Sequence, residues 1–212
     1  MYHHWFFDLD GTLARTGEDI IVAWKAALTA LGRDLTNFDK VFKIGPTLEK
    51  VVYEMYDDAT PQLVEDVMVR FKALYDGGGF PNTVPYPGVP ELLASIKASG
   101  GKAYIVTNKR HSATQLIAKK FGWDKVLDGI WSYDTCETKY KKPELLAKLL
   151  KDLGIDSKDA VMVGDTKGDV DAGKANGMAT IGVTYGYGTP DEVSGADQVF
   201  ASVDALESYT RT

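Results

Sequence analysis

The segment Trp5-Phe6-Phe7-Asp8-Leu9-Asp10-Gly11-Thr12 constrains the fold more than any other part of the chain. Three consecutive aromatic residues read as a strand buried on both faces, the pattern of a parallel sheet covered by helices. The run ends abruptly in two carboxylates and a glycine. Side chains at i and i+2 of an extended chain point the same way, so Asp8 and Asp10 converge on one crevice at the strand's carboxyl end. In an open α/β sheet that is where ligands bind. Two carboxylates this close repel, and the site calls for a cation or a shared proton. Gly11 permits a sharp exit and Thr12 adds a hydroxyl. A bare Asp-x-Asp is common, and a strand end followed by a polar turn also explains it. The decision rests on what the remaining residues supply.

After this strand the pattern turns helical. Thr16-Gly17-Glu18-Asp19 has the form of a capping box, Ile20, Trp24, Ala27, Leu28 and Leu31 follow at helical spacing, and Gly32 is a stop. A second helix is predicted over 47–56. Thr60-Pro61 starts a third, striped by Val64, Val67, Met68, Phe71 and Tyr75 and ended by Asp76-Gly77-Gly78-Gly79. Beyond Pro85 the chain alternates. Helices are predicted over 90–99, 112–121, 143–153 and 170–176, and strands over 103–107, 130–132, 160–163 and 180–183. Strands alternating with helices imply a Rossmann-like three-layer α/β/α core with a parallel sheet. The expected division is 1–14 with 81–212 as the α/β core, and 15–80 as an inserted all-helical domain.

Three more polar clusters border these elements. Val106-Thr107-Asn108 ends a strand in a hydroxyl and an amide, both able to hydrogen-bond a phosphate oxygen, although Thr-Asn is also a common turn starter. Lys139-Tyr140-Lys141-Lys142-Pro143 precedes a helix, where a lysine can neutralise a phosphoryl group and a carboxylate together. A solvated basic cluster is the better reading of Lys139 and Lys141. Val163-Gly164-Asp165-Thr166-Lys167-Gly168-Asp169 again follows a buried strand. Capping of the next helix accounts for Asp169 alone but not for Asp165 at a strand terminus.

Phe7-Asp8-Leu9-Asp10-Gly11-Thr12-Leu13 closely resembles the first motif of the haloacid dehalogenase-like (HAD) superfamily. The clusters at Thr107, at Lys142 and at Gly164-Asp165…Asp169 resemble its second, third and fourth motifs in order. Tyr86-Pro87-Gly88-Val89-Pro90, Ile44-Gly45-Pro46-Thr47-Leu48 and Ile181 to Gly188 look like phosphoglycolate phosphatase-like members, and the helical insertion looks like a C1 cap. The glycine-aromatic end of that last segment is otherwise a flexible strand-to-loop exit and receives no chemistry here. Arg15 departs from many relatives, which carry an acid there; it either contacts an anionic substrate group or sits at the hinge.

The resemblance implies a Mg²⁺-dependent phosphomonoester hydrolase acting on a small phosphorylated metabolite through an aspartyl-phosphate. Asp8 would be the nucleophile and Asp10 the acid–base. Thr107, Asn108 and Lys142 would bind the phosphoryl group. Asp8, Asp165 and the Asp10 carbonyl would ligate the metal, with Asp169 in an outer role. Asp10 would need a raised pKa while Asp8 stays ionised. The alternatives are a β-phosphoglucomutase-like phosphomutase or a 5′-nucleotidase on the same scaffold, and last a non-catalytic phosphate-binding protein. A dehalogenase would lack an acid at Asp10, and a phosphonate hydrolase would need a cap amine, for which Lys25, Lys40, Lys43 and Lys50 are the candidates. A net charge of −6 without a dense basic run argues against a nucleic-acid partner. No apolar stretch has membrane-spanning length, which also removes the P-type ATPases that share the nucleophile. One cysteine, Cys136, and no signal-peptide pattern point to the cytoplasm.

Overall fold

The computed structural model describes residues 2–46 and 48–211 and places the aromatic run in the middle of a six-stranded sheet. In chain order the strands are β1 (His4–Phe7), β2 (Ala14–Arg15), β3 (Val84–Pro85), β4 (Lys102–Thr107), β5 (Gly129–Ser132), β6 (Ala160–Gly164), β7 (Ala179–Val183) and β8 (Gln198–Phe200). The helices are α1 (Gly17–Ala30), α2 (Phe38–Val41), α3 (Leu48–Met55), α4 (Pro61–Gly77), α5 (Val89–Ala98), α6 (His111–Lys120), α7 (Lys142–Leu153), α8 (Lys167–Ala175), α9 (Pro190–Val193) and α10 (Val203–Tyr209). The sheet order is β5-β4-β1-β6-β7-β8, with every pairing parallel. The chain runs outward on one side of β1 through β4 and β5, then returns to the other side at β6. The strand order therefore reverses beside β1, where an open α/β sheet leaves a crevice.

The aromatic residues explain why β1 is central. Trp5 and Phe7 share one face and stack on each other at 6.3 Å, while Phe6 points to the other and stacks on Tyr104 at 4.8 Å. Phe6 belongs to a core layer with Leu145, Leu146 and Leu149 of α7 and Met162 of β6. A strand whose three aromatics are all buried gains on both faces, at roughly 1.5–3 kcal/mol per large side chain.

The chain divides into two compact units, Met1–Arg15 with Val84–Thr212, and Thr16–Thr83. In the second unit α1 and α4 pack through Trp24 and Phe71, whose rings lie 5.6 Å apart. Thr60 caps α4 by accepting from the Leu63 amide at 3.2 Å, with Pro61 at the first helical position. The second helix is described from Leu48; Thr47, where the sequence reading began it, lies outside the described residues.

Several local expectations change. Arg15 is not in the helical stretch predicted from residue 15: it sits in β2, paired antiparallel with Val84 of β3. The capping box at Thr16 does not form. Asp19 instead accepts from the Asn82 amide, the Asn82 side chain and the Thr83 hydroxyl, the last at 2.6 Å. Three donors 63 and 64 residues away win over one local amide. The helix predicted from Val170 starts three residues earlier, at Lys167, because Thr166 and Asp169 form a capping box. Strand β8 and helix α10 follow the last predicted element; a three-residue strand with two exposed positions carries too little periodicity to be read.

Candidate active site

Asp8 follows β1 and Asp165 follows β6, its paired neighbour, so the two carboxylates emerge from adjacent strand ends. The Asp8 amide donates to the Val163 carbonyl at 2.9 Å, extending the pairing one residue beyond the strand. Carboxylate oxygens of Asp8, Asp165 and Asp169 lie within 4.8 Å of one another, and all three residues are buried. This acidic triad can hold a metal ion: three hard oxygen donors suit a divalent cation such as Mg²⁺, Ca²⁺ or Mn²⁺.

Lys142 is the counter-charge. It stands at the first position of α7 and is buried, whereas Lys139 and Lys141 are exposed. Its Nζ lies 2.5 Å from Asp169 and 3.1 Å from Asp8 Oδ1. The Asp8 contact is ionic rather than a hydrogen bond, because Oδ1 has no partner within hydrogen-bond geometry. Asp169 is thus the main anchor of the lysine. Its second oxygen accepts from the Thr166 amide at 3.1 Å and hydroxyl at 2.7 Å. Asp169 caps α8 and holds Lys142 with one carboxylate.

Asp165 is held differently. Its Oδ1 accepts from the Thr12 hydroxyl at 3.1 Å, and its Oδ2 accepts from the amides of Tyr187 at 2.7 Å and Gly188 at 3.2 Å. The glycine-aromatic run read as a flexible exit thus wraps one of the acidic residues. The backbone comes so close that a Cβ on Gly188 would collide with the Asp165 main chain. Gly11 has φ +85°, and a Cβ there would strike the Asp165 carboxylate. These two positions require glycine for close approach.

Charge in the site is out of balance. Burial raises Asp8 to about 7; Lys142 opposes the rise, while Asp169, Asp165 and Asp10 add to it. Burial likewise raises Asp165 to about 6, with Asp169 adding and the Tyr187 and Gly188 amides and Thr12 opposing. Burial alone would lower Lys142, but the Asp169 and Asp8 carboxylates outweigh it and keep the ammonium charged. Lys142 therefore offsets only part of what burial does to Asp8. The orphaned Asp8 oxygen and the raised carboxylates fit a site completed by a further positive charge.

Asp10 turns to another partner. Its carboxylate takes two contacts from Lys109 Nζ, at 2.9 and 3.2 Å. Lys109 carries no sequence signal beyond its position directly after Thr107-Asn108. Thr107 ends β4, the other neighbour of β1, and is buried, with its hydroxyl oxygen accepting from the Lys109 amide at 3.2 Å. Asn108 follows it in the turn before α6. Cys136 is a free thiol of intermediate exposure.

A family model of haloacid dehalogenase-like hydrolases matches residues 5–183. The chain belongs to that family, and it is an enzyme of the phosphatase type. It is 33% identical to a 5′-nucleotidase of Pseudomonas aeruginosa over 196 residues, 91% of this chain and 87% of that protein. It is 30% identical to a phosphoglycolate phosphatase of Psychrobacter arcticus over 215 residues, 96% of this chain and 93% of that one. The crystal structure of a predicted phosphatase from Clostridium acetobutylicum superposes with a TM-score of 0.86 at 29% identity, covering 99% of this chain and 98% of the other. Among the described residues no helix is long and apolar enough to cross a membrane.

Proposed function

We propose that the protein hydrolyses a small phosphomonoester, with Asp8 as nucleophile and Mg²⁺ as cofactor. The observation that carries the reading is the Asp8 carboxylate. It is buried at the end of the central strand, beside Lys142, with one oxygen outside any hydrogen bond. A carboxylate kept that way costs stability and is explained by chemistry rather than by packing. Asp8, Asp165 and the Asp10 carbonyl would hold the metal, which supplies positive charge that offsets the repulsion between a phosphate dianion and a carboxylate.

The protein's own groups divide the remaining work. An Asp8 oxygen attacks phosphorus and the bond to the ester oxygen breaks, giving an aspartyl-phosphate and the alcohol. Asp10 gives its proton to the departing oxygen. It then takes one from the water that attacks the aspartyl-phosphate, which frees Asp8 and releases phosphate. The Thr107 hydroxyl, Asn108 and Lys142 hold the phosphoryl oxygens, with Asp169 keeping Lys142 in place. Phosphoglycolate is the first substrate to try and a 5′-nucleotide the second, since relatives of both names align along most of the chain. The lone Cys136 agrees with a cytoplasmic setting. Release of p-nitrophenol from p-nitrophenyl phosphate, with Mg²⁺ and with chelator, tests the reaction; a screen of phosphomonoesters then ranks substrates. No Mg²⁺-dependent release at micromolar enzyme would overturn the reading.

Asp165→Ala should raise the Mg²⁺ concentration for half-maximal rate by at least about 10-fold, the scale on which loss of a metal-supporting group acts. Relief of repulsion would by itself favour the metal-free fold, but the Tyr187 and Gly188 amides lose their acceptor. A metal titration of the rate checks this, and an unchanged midpoint would leave Asp165 a structural residue.

Residues 16–83 are read as the specificity cap. Arg15 and Val84 are cross-strand partners, so a short linker can join them without disturbing the sheet. Replacement of 16–83 should leave a folded core that still hydrolyses p-nitrophenyl phosphate weakly, because every proposed catalytic group lies outside the segment. Discrimination among natural esters should fall to within about 10-fold, the scale set by one small pocket contact. If the shortened protein keeps the parent's substrate ranking, specificity lies in the α/β unit.

A further inference from the structure

We propose that Lys109 is a positioning residue that fixes the Asp10 side chain for proton transfer at the ester oxygen. The inference rests on the reading of Asp10 as the acid–base.

The backbone around Asp10 is already tied down. The amides of Thr12, Leu13 and Ala14 all point to the Leu9 carbonyl, and the Gly11 amide donates to Ala14 at 3.0 Å. What remains adjustable is the Asp10 side chain, and Lys109 is what holds it. The ammonium reaches both carboxylate oxygens, and the two side chains are only 6% and 13% exposed. A surface pair of this kind is loose and contributes little. Two charge-assisted contacts in a largely enclosed site hold the carboxylate more firmly than neutral ones would.

Lys142 contacts Asp169 and Asp8, whereas Lys109 contacts Asp10. Lys109 also leaves the β4 turn two residues after Thr107, and its amide donates to the Thr107 hydroxyl oxygen. One three-residue turn thus carries both a phosphoryl-binding hydroxyl and the clamp on the acid, so the placement of the phosphate and of the proton donor are mechanically joined.

Proton transfer depends steeply on placement, and a misplaced acid matters only when the leaving oxygen needs its proton. Lys109→Met keeps the stem and removes the charge. Steady-state rates of this variant, of Lys109→Arg and of Asp10→Asn are measured at saturating Mg²⁺ with 2-phosphoglycolate, a basic alkoxide leaving group, and with p-nitrophenyl phosphate, a weakly basic one. Lys109→Met should lower kcat/KM, which reports the steps through departure of the alcohol, about 10²-fold for the alkyl ester and by no more than about 3-fold for the aryl ester. Lys109→Arg should restore part of the alkyl value. Asp10→Asn should show the same discrimination in kcat/KM, only larger. Equal losses of kcat/KM on both esters, or no loss at all, in Lys109→Met would overturn the proposal while a discriminating Asp10→Asn leaves the acid–base reading standing. An Asp10→Asn variant that lowers kcat/KM equally for both esters would remove that reading and the role of Lys109 with it. Circular dichroism checks each fold; if Lys109→Met does not fold, Lys109→Gln takes its place with the same expected split between the esters.

Discussion

Asp8→Asn should lower turnover by on the order of 10⁴-fold or more, the scale for loss of a positioned nucleophile, while the protein remains folded. Amide nitrogen neither attacks phosphorus nor ligates a hard cation well. The fold has no reason to suffer: Lys142 keeps its shorter contact to Asp169, and the strand pairing at position 8 runs through the backbone. Stability should in fact rise in chelator. The native Asp8 holds its proton to about 7 against an ordinary value of 3.8. Between those limits the folded wild type binds more protons than the unfolded chain, so its stability falls as pH rises. Asparagine has no charge to desolvate, and the variant's advantage should grow from about pH 4 to about pH 7 and then level off. Steady-state rates and urea melts across that range check both halves. Near-normal kcat would sink the assignment, and an advantage that shrank with pH would contradict the account of the buried carboxylate.

Lys142→Met should cost about 3–5 kcal/mol of stability, the usual effect of removing one partner from a buried charge cluster, and about 10²–10³-fold in kcat, as for loss of one preorganised charge at a transition state. Methionine keeps most of the stem, so lost packing contributes little. What is lost is the cation between Asp169 and Asp8. Asp169 retains the Thr166 amide and hydroxyl, which spares the α8 cap. Lys141→Met is the control. That residue is exposed, and its change should stay within about 0.5 kcal/mol, as surface substitutions do. Denaturant unfolding of the two variants with their rates decides the matter, and similar small effects from both would return the basic cluster to a solvated role.

The parts of the site that the sequence made legible are those carried by strand ends. Trp5, Phe6 and Phe7 announce a strand buried on both faces, and the carboxylates that terminate it and the Val161–Val163 run are then placed by the rule that ligands gather at carboxyl ends of parallel strands. Of the three clustered lysines Lys142 is the buried one, while Lys139 and Lys141 are exposed.

What was not legible depends on long-range approach. Lys109 looks like any lysine after a turn; it meets Asp10 because β4 lies beside β1. The Tyr187 and Gly188 amides that hold Asp165 have no side-chain signature, and glycines that permit close approach look the same as glycines that permit flexibility. Asp19 has the position of a local cap, but the donors that claim it, Asn82 and Thr83, are far away in the chain.

The covalent step is the centre of the account, and one measurement reaches it directly. Enzyme turning over its best phosphomonoester with Mg²⁺ is quenched in acid, reduced with borohydride and digested, and the peptide that carries position 8 is sequenced by mass spectrometry. Borohydride converts an aspartyl-phosphate, but not a free carboxylate, to homoserine. Homoserine is expected at position 8, absent when substrate is omitted and absent in Asp8→Asn. Unmodified Asp8 under conditions that trap the modification at another residue would contradict it.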